Sequence, residues 1–111
     1  MPASTCLLVE PIGTKVSYYA ELILTVGCFE LMVAHSDEEA RKYVSGHSWL
    51  STVIVDTVIS GYADLARFVR RRSPRARIIL VGDTETVAVP EANAIVGREN
   101  REAMLAALRL H

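Results

Sequence analysis

Three short apolar segments of this chain end at carboxylates: CLLV ends at Glu10, TVIV at Asp56, and RIILVG at Asp83. Two carboxylates at close range repel each other, and a cation between them removes that repulsion. Oxygen ligands of this kind suit Mg²⁺, which proteins typically hold with one or two carboxylates, waters and a phosphate. The chemistry on offer is therefore metal-assisted handling of a phosphate. The alternative is that these acids only cap loops and helices.

Length and composition restrict the class of protein. The chain has 111 residues, of which 50% are hydrophobic and 23% charged, so residues 1–111 are expected to form one packed domain. Twelve basic and thirteen acidic residues give a net charge of −1, which disfavours a nucleic-acid-binding domain. No apolar run approaches the roughly 18 residues that span a bilayer, and the N-terminus lacks a basic segment. A cytoplasmic protein without a membrane partner is expected.

The cysteines and histidines do not form a recognisable site in the sequence. Cys6 and Cys28 are expected to be buried, reduced thiols. Neither they nor the histidines have the spacing of metal ligands. The sequence also contains no nucleophile elbow and no glycine-rich phosphate loop.

Short β-rich segments alternate with amphipathic ones along the chain. Ser36 and Glu39 have the spacing of a capping box at the start of a helix, and Asn100 is placed to cap the last helix. Strands are predicted at 6–9, 29–34, 52–55, 77–81 and 94–96, and helices at 14–26, 36–44, 60–72 and from 100 onward.

This alternation predicts an α/β fold with a parallel sheet. Because the strands are apolar throughout, helices should cover both faces. We expect a single doubly wound, flavodoxin-like domain with five parallel strands in the order 2-1-3-4-5. Strands one and three are then neighbours, and Glu10 and Asp56 face each other across the crevice where such sheets bind ligands.

The layout resembles the receiver domain of two-component response regulators over essentially the whole chain. The resemblance is carried by LLVE ending at Glu10, TVIVD ending at Asp56, the strand RIILV, and AIV followed by REAML. It implies that Asp56 accepts a phosphoryl group from a histidine kinase or phosphotransfer protein. It also implies that Glu10 and Asp56 bind Mg²⁺, weakly, because Pro11 stands where the family has a second acid. Such a domain is a signalling module rather than an enzyme and acts through other signalling proteins; homodimer formation is left open.

The chain departs from the receiver pattern beside the expected phosphate. Gly82 stands where the family has Ser or Thr, with Asp83 and Thr84 following, and Gly97 stands where the family has lysine, with Arg98 next to it. The segment between strands four and five is too short for a complete helix with two loops, so helix 4 is expected to be shortened or missing. Chains with such losses are often called pseudo-receivers.

Two further functions stay open from the sequence. One is a docking module of the same fold that works without phosphorylation. The other is a small α/β metabolite-binding domain that uses Glu10, Asp56 and Asp83. The basic segment RRRSPRAR at residues 70–77 suits either an acidic partner or a helix C-terminus stabilised by the helix dipole.

Overall fold

The computed structural model describes residues 4–12, 16–26, 29–47, 50–82, 89–97 and 100–109. These residues form five strands and four helices. The strands are β1 (Ser4–Val9), β2 (Phe29–Ala34), β3 (Thr52–Asp56), β4 (Arg77–Gly82) and β5 (Ala94–Gly97), and the helices are α1 (Val16–Val26), α2 (Asp37–Gly46), α3 (Tyr62–Arg72) and α4 (Arg101–Arg109).

The five strands form one parallel sheet in the order β2-β1-β3-β4-β5. The fold class and strand order predicted from the sequence are therefore confirmed. The central strand is β3, in which all five residues are buried. A strand covered on both faces is apolar over most of its length, which accounts for the three apolar residues in the middle of β3.

Capping residues explain where two helices begin. The Ser36 hydroxyl accepts a hydrogen bond from the Glu39 N–H at 3.1 Å, and the Glu39 carboxylate accepts one from the His35 N–H at 3.2 Å. Ser36 is thus the N-cap, as predicted. The Glu39 carboxylate bonds the N–H of His35, the residue before the cap, rather than that of Ser36 itself. At α4, the Asn100 side chain accepts from the Ala103 N–H at 3.1 Å, as predicted. Both caps satisfy N–H groups that a helix start leaves without partners.

The two faces of the sheet form separate cores. In β3, Val53 and Val55 belong to the core shared with α2 and α3, whereas Ile54 belongs to the core shared with α1 and α4. In β1, Val9 lies in the first core, and Leu8 in the second. This alternation follows from the two-residue period of a strand. It also determines on which face the residues that follow β1 and end β3 are placed.

The connection between β4 and β5 contains no helix in residues 89–93, the part of it that the structure describes. Val89 packs into the α2–α3 core, and the Asn93 side chain accepts hydrogen bonds from Ile78 N–H at 2.8 Å and from Arg70 at 2.7 Å. The buried Val89 side chain and the two hydrogen bonds of Asn93 thus hold this segment in place without a helix. Residues 83–88 lie outside the described residues.

None of the helices formed by the described residues has the length and apolar character that a membrane crossing requires.

Cys6 is a free thiol in the core between β1, α1 and α4. Burial disfavours the thiolate and raises the pKa of Cys6 from 9.0 to about 12. Cys28, the other cysteine, lies outside the described residues.

We predict that Cys6 in the folded protein resists iodoacetamide at pH 8 and reacts readily in urea, as measured by peptide mass spectrometry. Because folding raises the pKa of Cys6, the contribution of the buried thiol to the free energy of unfolding is complete below pH 9. That contribution falls as the pH rises from 9 towards 12, at up to about 1.4 kcal/mol per pH unit. The Cys6→Ala variant should lack this part of the alkaline loss. Rapid alkylation of Cys6 in the native protein would contradict the burial.

Candidate functional site

Glu10 and Asp56 occupy adjacent positions at the carboxyl edge of the two central strands. Val9 of β1 is paired in register with Val55 of β3, so the next position of each strand holds an acid. Glu10 continues the ladder beyond β1, because its N–H donates to the Ala34 carbonyl of β2 at 2.9 Å. The structure thus brings together the two acids that the sequence singled out.

Both acids are almost completely buried. Glu10 and Asp56 each retain 1% of their accessible surface. By the alternation of each strand, both positions fall on the face that α1 and α4 cover. Removing two carboxylates from water is costly unless hydrogen bonds or opposite charge compensate it. A buried pair of acids is a weak means of stabilising a fold, so the position is a candidate for chemistry.

The backbone that follows β3 fixes the orientation of Asp56. Its Oδ1 accepts a hydrogen bond from the Val58 N–H at 2.9 Å, and its carbonyl accepts from the Ile59 N–H at 3.0 Å. The Thr57 N–H donates to the Val81 carbonyl at 2.9 Å and so ties this turn to β4. A side chain that binds the backbone two residues later forms an Asx turn. This hydrogen bond therefore orients the Asp56 carboxylate.

His35 lies at the same edge, a placement that the sequence analysis did not predict. Its Nδ1 lies 2.9 Å from the carbonyl oxygen of Glu10. A carbonyl can only accept, so Nδ1 carries the hydrogen of this bond, and Nε2 is the nitrogen left with a lone pair in the neutral ring. This placement could have been predicted from position alone, because His35 directly follows β2 and parallel strands end at the same edge of the sheet.

Two glycines face each other where the receiver pattern has a hydroxyl and a lysine. Gly82 ends β4 and is paired in register with Gly97, which ends β5, while Val81 is paired with Asp56. Among the described residues, a Cβ built on Gly97 would meet only the Asn100 Cβ within 4 Å, at an ordinary 3.7 Å. Gly97 also lacks the positive φ that would disfavour a side chain, in contrast to Gly61 at φ 80°. The described backbone at position 97 therefore gives no reason for a glycine there.

Asp83, Thr84 and Arg98, the remaining residues predicted near the phosphate, lie outside the described residues. Their proposed roles remain predictions.

Within the described part of the chain, no group of three or more His, Cys, Asp or Glu side chains is arranged to hold a metal ion. The available donor set is the pair of carboxylates. This set fits a hard cation that takes its other ligands from waters and a phosphate, as Mg²⁺ does. It does not supply a complete protein cage.

Solved structures share this architecture over most of the chain. The signal receiver domain of an HD-domain-containing protein from Pseudomonas fluorescens matches with a TM-score of 0.81 at 18% identity, over 98% of this chain and 86% of that one. The fold is that of response regulator receiver domains. No protein-family model and no curated protein sequence matches the chain.

Two further structures with this receiver fold contain relevant ligands. The receiver domain of a sensor histidine kinase from Pseudomonas aeruginosa has a magnesium ion coordinated in its active-site cleft; it matches with a TM-score of 0.78 at 14% identity, over 96% of this chain and 94% of that one. A response regulator from Burkholderia pseudomallei has a phosphorylated aspartate and a calcium ion; its TM-score is 0.69 at 19% identity, over 96% and 67% of the two chains. At these identities the likeness establishes the fold, which confirms the predicted resemblance at that level.

Proposed function

We propose that this chain is an atypical receiver-like domain that accepts a phosphoryl group at Asp56 from a phosphohistidine on a partner kinase or phosphotransfer protein. The observation that carries the proposal is the burial of Asp56 and Glu10 side by side at the carboxyl end of the central strands. Receiver folds that hold a phosphorylated aspartate or a magnesium ion support it.

The proposed step transfers one phosphoryl group between two side chains. An Asp56 carboxylate oxygen forms a bond to phosphorus, and the bond from phosphorus to the histidine nitrogen breaks. The electron pair of that bond stays on the imidazole of the donor, which ends the step neutral after any proton exchange with water. The Val58 N–H, 2.9 Å from Oδ1, holds the carboxylate in place for the attack.

Glu10 and Asp56 are the residues that would hold Mg²⁺. The ion, when bound, would supply positive charge next to the phosphoryl oxygens, which is the main requirement of phosphoryl transfer. Pro11 and the glycines at 82 and 97 leave this chain few other groups for that task, so metal binding should be weak and transfer slow. The 1% exposure of Asp56 adds a second reason for slow transfer, since a donor must first gain access to it.

Exposed apolar side chains flank the proposed acceptor. Ile12 follows Glu10 by two positions and is 79% exposed, and Val58 follows Asp56 by two positions and is 60% exposed. Such residues around a buried polar site favour contact with another protein. A partner that docks over this edge would cover both of them together with the acids.

The second candidate is a docking module that does not depend on phosphorylation. The Gly82–Gly97 pair favours it, because a phosphorylated Asp56 would find neither a hydroxyl nor an ammonium group there. Its partner surface would be formed by β4, β5 and α4, where Ile95 is half-exposed. Labelling of Asp56 separates the two candidates.

We predict that a small phosphodonor with Mg²⁺ adds one phosphoryl group to the wild-type protein, slowly, and that Asp56→Asn abolishes the addition. The amide keeps the shape and can still accept from Val58 N–H, so folding should survive. Intact-mass spectrometry measures the addition. The matched control is Asp64→Asn, which changes an exposed aspartate of α3 and should leave labelling intact. Absence of labelling in the wild type would favour the docking module.

We also predict that Gly97→Lys raises the rate of labelling by about tenfold, because an ammonium group beside the phosphoryl oxygens lowers the barrier by roughly one charge-assisted hydrogen bond. The backbone at Gly97 accepts a side chain. The control is Gly46→Lys, at a glycine where the added Cβ has no described residue within 4 Å. Unchanged labelling in a folded Gly97→Lys variant, or an equal gain in Gly46→Lys, would contradict the assignment of position 97.

A further inference from the structure

The segment from residue 70 to residue 77 carries five arginines, two of which serve the fold. Arg70 donates to the carbonyls of Pro74, Ala76 and Glu91 and to the Asn93 side chain, at 2.7–2.9 Å. Arg77 donates from Nε to the Ala107 carbonyl at 3.3 Å. All of these acceptors are neutral oxygens. Both arginines are therefore positioned by hydrogen bonds, and neither forms an ion pair with a carboxylate of the described residues.

The other three arginines, Arg71, Arg72 and Arg75, are exposed. The ion pairs between described residues use Arg41, Lys42 and Arg67 as cations, and none of them involves these three. Arg72 lies over the Phe68 ring, 5.4 Å from its centroid, and Arg41 lies 4.9 Å from the same centroid. Two guanidinium groups thus contact the same ring.

Stabilisation of the α3 C-terminus does not account for this cluster. The helix dipole places only about half of a negative charge there, and the effect fades within the last turn. Arg75 lies three residues beyond the end of α3, and neighbouring arginines without ion pairs repel one another. An exposed group of like charges without ion pairs among the described residues is a candidate binding patch.

The cluster lies at the opposite edge of the sheet from Glu10 and Asp56. It ends α3 and leads into the start of β4, whereas the acids stand at the carboxyl ends of β1 and β3. The five residues of β3 separate the two edges by about 15 Å. A ligand at the cluster would therefore leave the acidic site uncovered.

We propose that Arg71, Arg72 and Arg75 form a docking site for an acidic, carboxylate-rich segment of a partner protein. The planar guanidinium group binds carboxylates through two parallel hydrogen bonds. A short acidic peptide matches a small patch on a chain of net charge −1, whereas a long polyanion would also meet the acids elsewhere on the surface. The ring beside the patch, Phe68, already contacts two guanidinium groups, which would compete with a nucleobase for stacking. A membrane surface also fits less well, because the exposed large apolar residues of the described chain, at positions 12, 24, 58 and 95, lie outside the patch.

The test titrates a labelled peptide of alternating glutamate and serine into the full chain and follows fluorescence anisotropy at low and high salt. We expect salt-sensitive binding that the triple variant Arg71→Gln, Arg72→Gln, Arg75→Gln weakens by about tenfold, since three exposed ion pairs of modest strength are lost. Thermal unfolding of that variant should occur at the same or a higher temperature, because repulsion is relieved. The single variant Arg75→Gln, in the loop, should show a smaller loss and keeps the test valid if the triple variant does not fold.

The matched control is Arg101→Gln, an exposed arginine at the start of α4. It should bind the peptide as the wild type does. The proposal is overturned if the wild type does not bind the peptide at low salt, or if Arg101→Gln weakens binding as much as the triple variant. It is also overturned if a single-stranded oligonucleotide of equal charge, or vesicles of phosphatidylserine, bind more tightly than the peptide.

Discussion

The register between β1 and β3 is the constraint on which the rest of the structure depends. Because Val9 pairs with Val55, the next two positions place Glu10 beside Asp56 at one edge of the sheet. A shift of one residue would turn every side chain of β1 to the other face, so that each would enter the opposite core. The apolar residues that fill both cores therefore fix the position of the acids as well. Packing and chemistry are specified by the same alternation.

Gly82 and Gly97 bear directly on the proposed phosphoryl transfer. They are paired at the ends of β4 and β5, next to the strand that carries Asp56. In the proposed function Asp56 would be the acceptor and Glu10 a metal-binding acid, whereas positions 82 and 97 have no side chain to neutralise or sense the phosphoryl oxygens. This combination predicts that Asp56 is phosphorylated slowly and that Mg²⁺ is bound weakly. The arginine cluster at the far edge would give it a second point of contact that does not depend on this loading.

The sequence was sufficient to predict the strands, their order and the pairing of the two acids, because buried parallel strands must be apolar and must end at one edge. The caps at Ser36 and Asn100 were predictable from neighbouring residues alone, because a helix start needs side-chain acceptors. The role of Arg70 was not predictable. Its side chain reaches the carbonyl of Glu91, 21 residues away, and such a bond has no local pattern. The contact of His35 with the Glu10 carbonyl depends in the same way on the packing of β2 against β1.

A titration of the wild-type protein with Mg²⁺ and beryllofluoride, a mimic of the phosphoryl group, tests the phosphoacceptor account most directly when amide chemical shifts are followed by NMR. The account predicts saturable shifts at Thr57, Val58 and Ile59, at the residues after Glu10 and at the ends of β4 and β5, and no such shifts in Asp56→Asn. Shifts that are absent in the wild type, or that persist in Asp56→Asn, would contradict it.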